Sequence, residues 1–385
     1  MKLSYIKALL LFAMSFSLTP AYSQELQIEA LKALGLENIK VVNEQEESFI
    51  SFEDNVYRGV NRGLHQVLET LNEVDSTKRY NLLLMDEGVA RVAVSSVSTS
   101  AISASYDTDA LVEKLKEAQE HNSSFGKVDI MLYPELFLEN SWLDKWYGVA
   151  IDLSPAFELS LWKGASLTGQ IVIPLYTNMQ DEKQYVRAGV IAFCQSLRLA
   201  NQLYGEFAAG NFTNDRMGVD ATINYYTQDG GWNFGARAGL TGSSTFYGGD
   251  WQVSYWQRVT WSGWASYYLS CYDLALKGEV VQMTYGDRGV RGTMMRYFKD
   301  VSVGLYGMIT DGYANGGFIF SSPLPSTKRA KRNRAVRVSY PEYFNRTYRA
   351  VNGRFELQGY SYETRPDAGS FGGFYNPQHI EKYIK

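Results

Sequence analysis

The stretch GVDATINYYTQDGGWNFGARAGLTG, residues 218–242, constrains the fold more than any other part of this chain. Val219, Ala221, Ile223 and Tyr225 alternate with Asp220, Thr222, Asn224 and Tyr226. After Gln228-Asp229-Gly230-Gly231, Trp232, Phe234, Ala236, Ala238 and Leu240 alternate with Asn233, Gly235, Arg237, Gly239 and Thr241. A period of two predicts strands with one apolar and one polar face, joined here as a hairpin. The pattern recurs from about Lys127 to the end of the chain, in segments of about 8 to 13 residues divided by turns rich in Gly, Asp and Asn. About 14 strands are expected, including an ill-defined one near Arg337–Phe344 and a last one at Phe355–Tyr362.

Two architectures hide one face of so many strands. A sandwich buries its apolar face as a core. An outer-membrane barrel turns that face to lipid and encloses a polar interior. The inward set here is Gly, Thr, Asn, Asp and Arg, small and polar as a lumen requires. Aromatic residues cluster near strand ends, Trp142, Trp146 and Tyr147 in one group and Trp251, Tyr255, Trp256, Trp261 and Trp264 in another, as in the girdles of membrane barrels. The expected fold is therefore mainly β: a C-terminal antiparallel transmembrane β-barrel of about 12–14 strands behind a small α+β periplasmic domain. Val219, Ile223, Trp232, Phe234 and Leu240 are expected to face lipid, and Asp220, Asn224, Asn233 and Arg237 the lumen.

The N-terminus agrees with export. Lys2 and Lys7 precede an apolar run from Ala8 to Leu18, and Ala21-Tyr22-Ser23 is a small-x-small cleavage pattern, so residues 1–23 read as a signal peptide. Residues 24–120 read as the α+β domain: a helix at Glu25–Leu36, then the order ββαββ, then a serine-rich stretch Ser95–Ser105 and a charged helix near Leu111–Glu120. Residues 121–126 read as a linker and 127–385 as the barrel.

Net charge is −4, which implies no general pull toward nucleic acid. Cys194 and Cys271 do not form a disulfide framework, and Cys194 ends the row Val186, Ala188, Val190, Ala192 as a small apolar filler. His65, His121 and His379 are too scattered for a catalytic or metal site, and no cofactor or metal motif is present. A carboxylate pair for glycoside cleavage could be drawn from Glu206, Asp220, Glu279 and Asp287. The reading adopted instead is a set of balanced lumen residues: Arg187, Asp220, Asn224, Arg237, Lys277, Glu279, Asp287 and Arg291. One basic run stands apart, with Lys328, Arg329, Lys331, Arg332 and Arg334 following the prolines Pro323 and Pro325. It is expected to be a loop that engages an anionic glycan, lipid phosphates or an acidic partner, the bland alternative being a solvated loop.

Two longer stretches carry a resemblance. In GLENIKVVNEQEESFISFEDNVYRG (35–59), Gly35-Leu36-Glu37-Asn38 precedes a strand, followed by Glu53-Asp54-Asn55 and Tyr57-Arg58. In YGDRGVRGTMMRYFKDVSVGLYGMITDGYANGGFIFSSPLP (285–325), Asp287-x-Gly289, Arg296-x-Phe298, Gly304, Gly316-Gly317-Phe318 and Pro323 recur in order. Both stretches resemble the YjbH/GfcD family of Gram-negative outer-membrane proteins linked to exopolysaccharide and capsule production. The chain looks like a short, single-barrel version. The resemblance implies a protein that assists secretion or surface assembly of a polysaccharide, with the N-terminal domain in the periplasm docking export or processing proteins. It carries over no catalytic residues. The alternatives are a general porin or secretion-system scaffold barrel, and a glycan-modifying outer-membrane enzyme.

Overall fold

The computed structural model describes residues 20–98, 101–140, 147–178, 184–247, 249–255, 257–324, 328–332, 336–349, 358–366 and 374–384. All but the last four residues of the expected signal peptide lie outside this set, as do Trp142, Trp146, Trp256 and Arg334.

The N-terminal domain is a five-stranded sheet in the order β1 (Glu37–Asn43), β2 (Glu47–Glu53), β3 (Arg79–Asp86), β4 (Val89–Ser98) and β5 (Ala101–Ser105). β2 and β3 run parallel, so the chain must cross over between them. Helix α2 (Val60–Val74) makes that crossing, with Leu64, Val67, Leu68 and Leu71 on its buried stripe. Helix α1 (Pro20–Leu34) packs beside it, starting five residues before the expected helix start. The sheet is buried on both faces. Leu82 and Leu84 enter the core under α1 and α2, while Leu83 faces Leu111 and Leu115 of α3 (Asp109–Lys114) and the turn after it. Glu87 and Gly88 close the β3–β4 hairpin with φ of 51° and 72°, a geometry in which glycine avoids the Cβ penalty. The serine-rich stretch is not irregular: it forms the end of β4 and all of β5.

The rest is one large sheet of fifteen described strands. It comprises β6 (Val128–Asn140), β7 (Tyr147–Ser160), β8 (Ala165–Thr177), β9 (Arg187–Ala200), β10 (Leu203–Phe212), β11 (Arg216–Tyr226), β12 (Trp232–Tyr247) and β13 (Asp250–Val253). It continues through β14 (Arg258–Leu269), β15 (Leu274–Gln282), β16 (Arg288–Tyr297), β17 (Ser302–Thr310), β18 (Tyr313–Pro323), β19 (Val336–Ser339) and β20 (Tyr343–Arg349). From β6 to β18 each strand pairs antiparallel with the next, apart from the side hairpin β13 on β12. The ill-defined strand near residue 340 is two strands separated by residues 340–342. β19 pairs parallel with β6, and β20 pairs antiparallel with β18. The two ends of the sheet are thus neighbours in the chain, and Arg346 Nη2 of β20 donates to Pro134 O of β6 at 2.6 Å.

Polarity in this sheet is inverted relative to a soluble core. Along β17 the odd positions Val303, Leu305 and Ile309 are exposed, while Ser302, Tyr306 and Thr310 are buried. Val219, Ile223, Trp232, Phe234 and Leu240 are exposed, and Asp220 is 4% exposed. Gly289, Gly304 and Gly317 sit where an added Cβ would fall within 3 Å of a neighbouring backbone oxygen, so these pairings require glycine. The expected last strand is corrected: residues 355–357 lie outside the described set, and residues 358–362 are not in a strand. A further helix, α4 (Pro377–Tyr383), follows near the C-terminus, with Asn376 accepting from Gln378 N as its N-cap. Among the described residues no helix is long and apolar enough to cross a membrane.

Candidate functional site

Alternation along the strands puts the predicted polar residues on one face, and each meets a partner there. Arg187 Nη2 lies 2.9 Å from Asp152, which is buried. Arg237 Nε donates to both oxygens of Asp220 at 3.0 Å. Lys277 Nζ is 2.7 Å from Glu279 Oε1, and Arg291 Nε is 3.7 Å from the other oxygen. Lys277 also lies over the Trp264 ring and Arg291 over the Tyr306 ring. Asn224 accepts from Asn233. Asp287 differs in place: it sits in the β15–β16 turn, where its Oδ2 accepts from Gly359 N at 2.9 Å. The four carboxylates considered for glycoside cleavage are therefore held by separate partners, Glu206 by Arg365 at 3.4 Å.

The C-terminal segment lies against this polar face. At the end of the sheet away from the N-terminal domain, Gly359 is held by Asp287, Thr284 N donates to Tyr360 O, and Thr213 N donates to Glu363 O. Tyr362 stacks on Phe212 and lies under the Arg237 guanidinium, and its hydroxyl donates to Asp220. Cys194 packs there too, as the expected small filler, with Val190, Ala192, Ala208 and Tyr362. At the opposite end Arg365 Nη2 donates to Glu87 Oε2 at 2.9 Å. Phe374 then stacks on Tyr343, and α4 joins the core of the N-terminal domain through Ile380 and Ile384. Sequence reasoning missed this path because the alternation of Tyr360, Tyr362 and Thr364 looks like another strand. Pro366, which cannot donate to a ladder, was the available warning.

The N-terminal domain sits on the short turns at that second end. Tyr106 N donates to Gln228 O, Gly164 N to Glu87 O, and Arg62 pairs with Asp300 at 2.9 Å. Glu87 also accepts from Ser196 at 2.9 Å. The expected linker is part of this domain, with His121 bridged to Ile39 and Ser124 N donating to Asn38. Across the seam, Arg332 is buried on Glu37 and Asp129, Lys127 reaches Glu37 at 2.8 Å, and Arg337 makes two bonds to Asp129 at 2.6 and 2.8 Å.

The expectation for the basic run is corrected here. Arg332 is an interdomain ion pair, Arg329 N donates to Val56 O and its side chain lies 3.7 Å from Glu342, Lys331 donates to Ala33 O, and Lys328 lies over the Tyr57 ring. Desolvation would make Arg332 expensive without those carboxylates, so its charge is committed to the fold. Arg334 is outside the described residues.

Between the domain and the polar face lies a cavity of about 790 Å³. Glu53 stands on its domain side, accepting from Asn38 Nδ2 at 2.6 Å, Asn55 Nδ2 at 2.9 Å and Gly88 N at 2.8 Å. Burial nevertheless pushes its carboxyl up to about 7. The sheet side contributes Thr168, Ser196, Glu206, Thr222 and Asn224. Among the described residues no cluster of His, Cys, Asp and Glu could hold a metal ion. Comparison with family models, curated proteins and solved structures finds no match to this chain.

Proposed function

We propose that the large sheet closes into an outer-membrane β-barrel and that the protein assists secretion or surface assembly of an exopolysaccharide or capsule. One observation carries the membrane reading: apolar side chains are exposed along one face of the sheet while charged pairs such as Asp152–Arg187 and Asp220–Arg237 are buried on the other. In water that distribution is unfavourable on both faces; in a bilayer each face meets the solvent it suits. Closure also satisfies backbone groups that lipid cannot, and the neighbouring ends β19 and β20 supply the seam. The N-terminal domain lies at the end where the turns joining β7 to β17 stay short, such as Asn201–Gln202, while the other end carries longer connections such as the one between Thr177 and Arg187, which suits the periplasmic side.

The polysaccharide role rests on the resemblance at residues 35–59 and 285–325. A general porin is the second barrel reading, and the C-terminal segment along the polar face argues against a wide open pore. The test has two parts. Fractionation should place the protein in the outer membrane with heat-modifiable migration, and recovery as a soluble protein would overturn the barrel. Deleting the gene should reduce surface polysaccharide, and an unchanged yield with restored channel activity on re-expression would favour the porin.

A further inference from the structure

The interdomain cavity has a chemistry that follows from which of its charges are already paired. Eight acidic and seven basic side chains line it. Toward its floor the cations are spent: Arg365 on Glu87 and Glu206, Arg332 on Glu37 and Asp129, Arg91 on Asp86 and Arg329 on Glu342. What remains there is a set of hydroxyls and amides, among them Thr168, Thr222 and Asn224, beside Ser166 and Ser196, which donate to Glu87. Such a lining suits neither an apolar ligand nor a lone ion. Its volume falls within the roughly 300–1,000 Å³ range of small-molecule sites, with room for a few sugar rings.

The mouth is different. Lys40 from the N-terminal domain and Lys163 from the β7–β8 turn line the same cavity, and neither makes an ion pair among the described residues. Among the described residues Lys40 Nζ donates to the Leu115 carbonyl at 3.4 Å. Lys163 is pushed below its usual pKa by burial and by the neighbouring Lys40 charge, with the Glu120 carboxylate acting in the opposite direction. Phe125 lines the same cavity and is 69% exposed, although an apolar ring in a polar segment gains nothing from water.

We propose that this cavity binds a segment of an acidic glycan, with sugar hydroxyls on the polar lining, a sugar face on Phe125, and a carboxylate or phosphate between Lys40 and Lys163. The inference deepens the polysaccharide reading and rests on it for the source of the ligand. Lys40 and Lys163 thus offer charge to this cavity, whereas Arg332 of the basic run is already neutralised by Glu37 and Asp129.

The experiment uses the full mature chain in detergent and titration calorimetry with three probes: tetragalacturonate, maltotetraose and inorganic phosphate. Tetragalacturonate should bind most tightly. The double variant Lys40→Gln/Lys163→Gln should weaken it about tenfold or more while leaving maltotetraose unchanged, and about 1 M salt should do the same to the native protein, because the Debye length falls to about 3 Å. Phe125→Ala should weaken both oligosaccharides and leave phosphate alone, and it serves if the double variant loses heat-modifiable migration. Equal affinity for tetragalacturonate and phosphate would overturn the glycan part. Unchanged affinity in the variants, or no binding of any probe, would overturn the site. If gene deletion strips surface polysaccharide while no probe binds, the site fails and the functional reading survives. If the probes behave as stated while polysaccharide is unaffected by deletion, the site survives and the functional reading fails.

Discussion

The Tyr362 hydroxyl donates to Asp220 Oδ2 at 2.6 Å, joining the C-terminal segment to the polar face of β11 across 142 positions of sequence. Arg237 holds the same carboxylate from β12, so one buried charge serves both strand pairing and tail docking. Tyr362→Phe removes one of those donors and should cost about 1–3 kcal/mol of tail docking. Combined with Arg365→Gln, which also frees Glu87, it should loosen residues 359–366 and raise single-channel conductance in planar bilayers above that of the native protein. Unchanged conductance would show that the tail does not limit the lumen.

The outward face predicts an asymmetric response to charge. Ala236→Arg places a guanidinium among the exposed Phe234, Ile223 and Leu240. Near the bilayer middle that should cost about 2–4 kcal/mol, read as a lower urea midpoint for unfolding in vesicles. Thr222→Arg points inward opposite Glu206 and should be much milder. Equal damage from both would reject the assignment of faces.

The interdomain seam predicts a graded series within the basic run. Arg332→Gln leaves Glu37, which is fully buried, with Lys127 and the Asn55 amide, and should destabilise the docked domain by about 2–4 kcal/mol. Lys328→Gln, at an exposed position, should change stability by less than about 1 kcal/mol. Limited proteolysis of the N-terminal domain reads both, and the reverse order would contradict the seam.

Glu53 predicts a pH dependence with a definite sign. Its folded pKa is raised to about 7 from an ordinary value of 4.5, so the folded state holds its proton more tightly. The associated stability is fully present below about pH 4.5 and is lost as pH rises through about 7. The total is on the order of 3 kcal/mol. Amide exchange in β2 and β3, corrected for intrinsic rates, should therefore speed up between pH 5 and pH 8. Glu53→Gln should flatten that change, and an equal change in the variant would assign it to other groups.

How much of this was legible in the sequence depended on where the explaining contacts lie. Period-two alternation gave the faces of β11 and β12 residue by residue, because each strand's pattern is set by its own solvent. The order ββαββ was readable from local turns and one helical stripe. β5 was not readable, since Ala104 is buried by Ile380 and Ile384 from the far end of the chain. The basic run was misread for a related reason: Arg332 finds its carboxylate on Glu37, 295 positions away, and no local pattern announces that partner. The polar residues expected on one face, such as Asp220 and Arg237, do share a face of the sheet, but the tail that covers Asp220 reads as a strand because both conformations are extended.

The shared core of α4 with the N-terminal domain bears on the order of assembly. Ile380 and Ile384 complete a core begun by Ile28 and Leu31, so the N-terminal domain remains unfinished until that later segment has been made. In the proposed barrel the tail reaches that core by passing along the inside of the wall. The chain is then a ring threaded by its own end, and the thread must be in place before or while the ring shuts. A folding pathway that closed such a barrel first would trap the tail outside and leave the N-terminal domain with an open hydrophobic cleft, a target for proteolysis.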